Sequence, residues 1–291
     1  MHIKIVIVFW RNKAQTLALV NEIYKWQSIS FELVLVQNQC SEDAFPKLTP
    51  TNLHKIVVPE NLGFGGGVNL GLKLQTNKPS DYTLLLNTDA FIEEAELNKL
   101  LQFFKNEERT FSVAPKLIES NGTNSKTYVG GCNIAKNVNT RILESPATTN
   151  KKHIEVDYNI GAVIIISNQI LNEVGYLDEA YFFSGEIADW CYNAQQKSFK
   201  NVCYLDAVAQ HTVGESKLRK SLYKYYNFRN RFLFIRKHAE FKTELSNWYF
   251  RLFKELIYGF VTLNFTTIKT MFITIIDVLS KTTGNQNHKF L

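Results

Sequence analysis

Leu84-Leu85-Leu86-Asn87-Thr88-Asp89-Ala90 is an apolar run that breaks off in a polar cluster carrying one carboxylate. Open α/β sheets hold ligands beyond the carboxyl ends of their strands, so an acid delivered there can meet a metal or a phosphate-linked group. A plain surface turn would read the same way. His211 follows another strand-like run, Asn201 to Ala207. A neutral ring nitrogen there could bind a metal, although an isolated histidine is more often an ordinary polar side chain. Two more acids, Glu186 and Asp189, lie three residues apart after Gly185. A helix starting near Gly185 brings Glu186, Asp189 and Trp190 to one side, where the acids can work as bases or simply complement the helix dipole. Finally, Pro59-Glu60-Asn61-Leu62-Gly63-Phe64-Gly65-Gly66-Gly67-Val68-Asn69 has glycine at four of the five positions from Gly63 to Gly67. That permits close backbone approach to a phosphate-bearing ligand, and serves a tight strand-to-helix turn equally well.

The elements that must carry these residues are readable from pattern. Ile3 to Phe9 is a continuous β-branched run of the kind buried on both faces of a sheet. Ala14 to Trp26 has apolar residues at three and four spacing and predicts a helix. Phe31 to Val36 and Lys55 to Val58 are two more strands, and Asp81 to Ala90 is a fourth. Helical segments separate these strands, so the sheet is mainly parallel, and the loops at Trp10, Gln37, Asn61 and Asn87 converge on one crevice. Beyond it come a helix over Glu93 to Phe104 and a strand over Phe111 to Leu117. The proline in that strand points to an edge or a bulge. Loops and short hairpin strands are expected from Glu119 to Lys152, with turns at Asn121-Gly122 and Gly130-Gly131. A buried strand follows from Asp157 to Ser167, then a short helix from Gln169 to Val174 closed by Gly175.

A chain of 291 residues with 45% hydrophobic content can bury a large core. Cys40, Cys132, Cys191 and Cys203 have no metal-ligand spacing, and the strand-like start lacks the marks of a secretory leader, so reduced thiols and a cytoplasmic protein are expected. The net charge of +6 is concentrated: Lys217 to Tyr258 holds eleven Lys or Arg against three Glu. A basic, aromatic segment suits an anionic surface, either nucleic acid or phospholipid headgroups, or is a solvated helix face. No nucleic-acid recognition motif accompanies it. Leu256 to Leu279 is apolar but broken by Asn264, Lys269 and Asp277, which fits an interfacial helix, or one packed on the protein or on a second copy, better than a membrane span.

Taken in order, the IVIVF strand, LVLVQNQCSED, ENLGFGGGVNLG, LLLNTDA and GYLDEAYFFSGEIADWCYNAQQKSFKNVCYLDAVAQHTVG resemble the family 2 glycosyltransferases, in particular their bacterial rhamnosyltransferase-like and galactofuranosyltransferase-like branch. The resemblance runs from about Ile3 to Lys237. It implies the GT-A fold, a Rossmann-like, mainly parallel sheet flanked by helices. Residues 1–215 would form the catalytic domain, and 216–291 a helical, basic and aromatic extension for contact with a membrane surface or another subunit.

The resemblance also implies roles. Asp89 would hold Mg2+ or Mn2+ against the diphosphate of a UDP- or dTDP-sugar, and His211 would complete the metal site. Phe9, Gln37, Asn38, Asn61, Gly63, Phe64, Gly65, Asn69, Asn87 and Thr88 would bind the nucleotide sugar, and Trp190 and Gly161 would face the acceptor. The implied reaction is inverting transfer of a sugar to a hydroxyl of a lipid-linked or growing surface glycan on the inner face of the cell membrane. Three departures matter. Where the family has a base motif of the Gly-Glu-Asp-x-Asp type, this chain has Ile187 after Glu186, so the base falls to Asp189, preferred here, or to Glu186; otherwise the chain binds nucleotide sugars without turnover. Gln37 replaces an acid that meets the nucleobase, and Trp10-Arg11 replaces a Tyr-Asn pair.

Overall fold

The computed structural model describes residues 1–121, 124–145, 150–212 and 217–290. Gly122 of the expected turn, the Val213-Gly214 pair after His211 and the expected boundary at 215 lie outside them. The described strands form one mixed sheet in the order β3-β2-β1-β4-β10-β6-β11-β5. Its first four are β1 (His2–Phe9), β2 (Ser30–Asn38), β3 (Leu53–Val58) and β4 (Tyr82–Leu86), all parallel. Their carboxyl ends therefore share one edge. Helix α1 (Lys13–Ile23) links β1 to β2 and α2 (Gly63–Lys73) links β3 to β4. The link from β2 to β3 contains no helix, which corrects the expectation of helices between all four strands.

Nearly every residue of β1 and β2 is buried, because alternate side chains enter different cores. Ile3, Ile5 and Ile7 pack with α1 and with α3 (Glu94–Lys105). Val6, Val34 and Val36 pack on the other face with α2, α4 (Asn168–Val174) and α5 (Glu186–Gln196). This is why the runs are continuously apolar rather than alternating. The glycines of α2 serve the same packing. A Cβ on Gly67 would lie 2.7 Å from a methyl carbon of Val8, and one on Gly71 2.4 Å from Val6, so the helix lies closer to the sheet than any side chain would allow.

The other half is antiparallel in part. Strand β10 (Val163–Ser167) runs against both β4 and β6 (Thr110–Asn121), and β6 runs parallel to β11 (Lys200–Thr212). Pro115 stands where the β6–β11 register shifts, between Tyr204 and Val208, so its missing N–H falls at a bulge in an interior strand. Strand β10 is shorter than the expected Asp157 to Ser167. Upstream of it Tyr158 bridges to Gly131, and the Ala162 N–H bonds to the Ile160 carbonyl. Strands β7 (Asn124–Gly131) and β8 (Arg141–Leu143) extend β6 as hairpins, and β9 (His153–Glu155) flanks β11.

Helices α6 (Lys217–Lys237), α7 (Leu245–Val261) and α8 (Phe265–Leu279) follow. Phe232, Phe234 and Ile235 of α6 share a core with Tyr181, Ala188 and Tyr192, so this helix is packed against α5 and the turn before it. All four cysteines are free. Among the described residues, no helix is long and apolar enough to cross a membrane.

Candidate active site

Asp89 reaches its place through a turn. After β4 the Ala90 N–H bonds to the Asn87 carbonyl, and the chain returns as β5 (Ala90–Phe91), which pairs with β11 so that Ala90 faces His211. Parallel pairing of β11 with β6 sets His211 beside Glu119. The imidazole therefore lies between two carboxylates, Nε2 at 3.2 Å from Asp89 Oδ1 and Nδ1 at 2.8 Å from Glu119 Oε1. Glu119 is held in turn by Arg141. Burial acts to lower the His211 pKa, but the bonds to Asp89 and Glu119 outweigh it and push the ring up to about 9.

This arrangement fits a divalent cation. A ligating histidine usually donates its second ring N–H to a carboxylate, which fixes the tautomer, and Glu119 stands in that place. Among the described residues no group of three His, Cys, Asp or Glu could hold a metal ion. Asp89 and His211 would then give two ligands, leaving the remaining positions to phosphate oxygens and water, a division typical of Mg2+ sites that act on phosphate-linked substrates.

The opposite wall is built under backbone strain. Phe182, Ser184 and Gly185, the cap of α5, have φ of 62°, 68° and 99°. Two of them are not glycine, and such a turn persists only where its surroundings over-determine it. Asn230 of α6 supplies that restraint, donating from one amide to the carbonyls of Tyr181, Phe183 and Ser184. On the other side the Phe64 N–H bonds to the Phe182 carbonyl at 2.9 Å. Gly63, at φ 73°, allows this approach, since a Cβ there would lie 2.2 Å from that carbonyl oxygen.

Glu186 follows this turn and is 5% exposed. Its Oε2 is buried without a hydrogen-bond partner, and burial pushes the carboxyl up to about 7 against the opposing influence of its own backbone N–H and, after it, Arg229. Asp89, His211, Glu186, Asn87, Phe64 and Gly161 all line one cavity of about 460 Å³, together with Glu119 and Ile187. Asn87 donates to the Gly161 carbonyl, which ties the metal-side turn to the chain facing Ile187.

Other expected site residues lie elsewhere. Asp189 is fully buried and turned toward α6, where Lys237, His238, Tyr181 and Asn193 all donate to it. Burial works against its ionisation, but these partners, His238 and Lys237 foremost, hold its pKa below the ordinary value. It ties α5 to the end of α6 and does not line the cavity, contrary to the expectation that it faces the reacting groups. Trp190 is likewise buried, edge-on to Phe111 with its indole N–H on the Gly175 carbonyl, and does not face an acceptor.

On the nucleotide side, the Gln37 amide is used up within its own loop: it donates to Asp43 and accepts from the Ala44 N–H. Gln37 is fully buried and is not among the residues that line the cavity. Asn38 clasps Asn61, Leu62 and Gly63, and Asn69 clasps Leu177 and Glu179, so both position loops. Phe9 is buried against Phe45. Asn61, Gly63, Gly65 and Thr88 do not border the cavity.

Trp10 and Arg11 hold each other at the end of β1. The indole N–H bonds to Gln39, and the Arg11 guanidinium lies 4.3 Å above the indole ring. Glu119, Arg141, Asn230 and Arg231 of the cavity wall were not anticipated from the sequence. Glu119 was within reach of the strand-end rule that found Asp89.

A mainly parallel sheet flanked by helices, with an acid at the end of β4 and a histidine brought beside it, defines a GT-A-type transferase fold. The chain belongs to the glycosyltransferase-like family 2, whose model matches residues 2–232. It is 25% identical over 239 residues to the low-salt glycan biosynthesis hexosyltransferase Agl10 of Haloferax volcanii, covering 79% of this chain and 74% of that protein. It is 22% identical over 216 residues to the dTDP-rhamnosyl transferase RfbF of Shigella flexneri, with 71% of each covered. Among solved structures, Staphylococcus aureus TarS 1–349 in complex with UDP-GlcNAc superposes with a TM-score of 0.61 at 18% identity, over 96% of this chain and 80% of that one. GalNAc-T7 with UDP, GalNAc and Mn2+ gives 0.60 at 15% identity, over 90% of this chain; the match spans only 57% of GalNAc-T7. The protein is thus a family 2 glycosyltransferase.

Proposed function

We propose that this enzyme transfers a hexose or deoxyhexose, with inversion, from a UDP- or dTDP-sugar to a hydroxyl of a lipid-linked or growing surface glycan, and that Glu186 is the general base. The observation that carries this reading is the shared cavity, with Asp89 and His211 on one side and a buried carboxyl, raised to about 7, on the other. A base works best with a pKa near the working pH, and Glu186 meets that condition where Asp189, held below the ordinary carboxylate value by its bonds from His238 and Lys237, does not. Mg2+ or Mn2+ held by Asp89 and His211 would stabilise the charge that develops on the departing diphosphate. Glu119 orients the imidazole, Asn230 fixes the turn that presents Glu186, and the apolar wall at Ile187 keeps water from the base.

Placement at a membrane surface is supported by the α7–α8 hairpin. Phe253, Ile257, Phe260, Val261, Leu263 and Phe265 are each at least half exposed there, with Arg251, Lys254 and Lys269 nearby in sequence. Apolar residues rimmed by cations suit a headgroup layer. The test is a panel of UDP- and dTDP-sugars with Mn2+ and a membrane extract as acceptor source, read as nucleoside diphosphate release. One donor turning over, with release abolished in Glu186→Gln, is expected. Tight donor binding without release for any sugar would instead favour a nucleotide-sugar-binding scaffold.

A further inference from the structure

A second cavity of about 690 Å³ runs between α6 and the α7–α8 hairpin, and Lys220, Tyr223, Asn227 and Arg231 border both it and the catalytic cavity. The two are therefore neighbours along α6, with these four side chains between them. At its far end the second cavity is lined by Asn264 and Thr266, which alternate in sequence with Leu263 and Phe265, 73% and 76% exposed. The two cavities, a passage in two parts that share Arg231 in their walls, thus lie between Glu186 and the exposed apolar residues of the α7–α8 turn.

Arg231 stands at the junction and is 5% exposed. The hydrogen bonds described for it go to the carbonyls of Ile134, Asn227 and Val138, with the guanidinium 4.5 Å above the Trp248 ring. Buried cations are ordinarily matched by a carboxylate, and here the partners are neutral. Burial lowers the Arg231 pKa to about 10, the direction expected for a cation without a counter-charge. A guanidinium has five N–H donors in a fork that suits phosphate oxygens, and three are engaged. Lys224, which also lines the second cavity, already has a carboxylate partner in Glu255, so its charge is matched where the bonds described for Arg231 are all to neutral carbonyls.

Resting on the transferase reading above, we infer that this passage is the acceptor site, and that it takes an amphiphile whose phosphate or diphosphate lies at Arg231 with its apolar chain toward the α7–α8 turn. The sugar end of such an acceptor would extend along α6 toward Glu186. The anion supplies the charge that Arg231 lacks, and the exposed hairpin apolar residues meet the chain where it leaves the protein.

Titration calorimetry on the full-length protein tests this with farnesyl diphosphate, inorganic pyrophosphate and farnesol, in EDTA so that a metal at Asp89 contributes nothing. Farnesyl diphosphate should bind at least tenfold more tightly than either half alone. Arg231→Gln should weaken it at least tenfold, and so should Thr266→Trp, which fills the passage from an exposed position and leaves the core intact. Asp89→Asn should leave it unchanged. Equal binding of pyrophosphate and farnesyl diphosphate overturns the proposal in favour of a simple anion site, and binding that survives both Arg231→Gln and Thr266→Trp overturns it outright. Donor turnover is read separately: turnover without farnesyl diphosphate binding sinks the acceptor assignment alone, whereas binding without turnover sinks the transferase reading and leaves the site standing.

Discussion

Replacing Glu186 by Gln separates catalysis from stability in one variant. The folded-state carboxyl titrates at about 7 against an ordinary 4.5, because burial disfavours its charge. The folded protein therefore holds this proton more tightly than the unfolded chain does. Its effect on stability is absent below 4.5, grows as the pH rises toward 7, and is constant above that, always in the destabilising direction. At 1.36 kcal/mol per pKa unit the full effect is roughly 3 kcal/mol. Gln carries no charge, so from pH 4 to pH 8 the stability difference should move by roughly 3 kcal/mol in the variant's favour. The buried amide offsets part of this, by about 1–2 kcal/mol, since Oε2 has no partner and an amide N–H there would be unsatisfied as well. That cost is independent of pH, so the slope is the decisive quantity, read from urea titrations at both pH values. Turnover should fall by about 10²–10⁴-fold, and the rise of kcat/KM with pH through about 7 should vanish. Parallel stability profiles for variant and wild type, or turnover within about threefold of wild type, would refute the assignment of Glu186 as a buried base.

Asp189→Asn should do the reverse, costing about 1–3 kcal/mol by removing the buried charged acceptor shared by Lys237, His238, Tyr181 and Asn193, while leaving kcat of the folded fraction close to wild type. The Asp189 pKa is depressed, so this loss should be full above the ordinary carboxylate range and fade as the pH falls through its folded value, which denaturant titrations at several pH values would show. Gly67→Ala should destabilise by about 1–3 kcal/mol through contact with Val8, measured by thermal melting, without altering the donor KM of the folded fraction. Chelation should abolish turnover, and Asp89→Asn should raise the Mn2+ concentration needed for half-maximal rate at least about tenfold, measured by titrating Mn2+ against nucleoside diphosphate release.

Much of the fold was legible because burial writes itself into the strands. The runs at Ile3 to Phe9 and Phe31 to Val36 are apolar on both faces, and the structure buries both. Asp89 and His211 were legible for a related reason, since each ends a strand-like run at the edge where ligands collect. What failed was direction on a helix. Glu186 and Asp189 are three residues apart, so on α5 they diverge by only about 60°. Which of them faces the cavity depends on what packs against the other side. That partner is α6, whose Lys237 and His238 are 48 and 49 residues further along, and no local pattern announces them. The nucleotide-side amides failed similarly. Gln37, Asn38 and Asn69 were read as open to a ligand, whereas each is spent on a neighbouring loop that only the tertiary fold brings near.

These contacts change what the C-terminal region is. A segment rich in Lys, Arg and aromatic residues reads as an appendage for some outside surface, and the α7–α8 hairpin keeps that character. Helix α6 does not. Its Asn230 restrains the strained turn before Glu186, its Lys237 and the adjoining His238 bond to Asp189 inside the core, and its Arg231 lies in the wall of the catalytic cavity. Without α6, Asp189 would be a buried carboxylate without Lys237, and the strained turn at Phe182 and Ser184 would lose its three carbonyl bonds from Asn230. The catalytic unit therefore extends at least to His238, and the basic charge of this stretch divides between two tasks: the cations of α6 complete the site from within, and those beyond it border the exposed apolar hairpin.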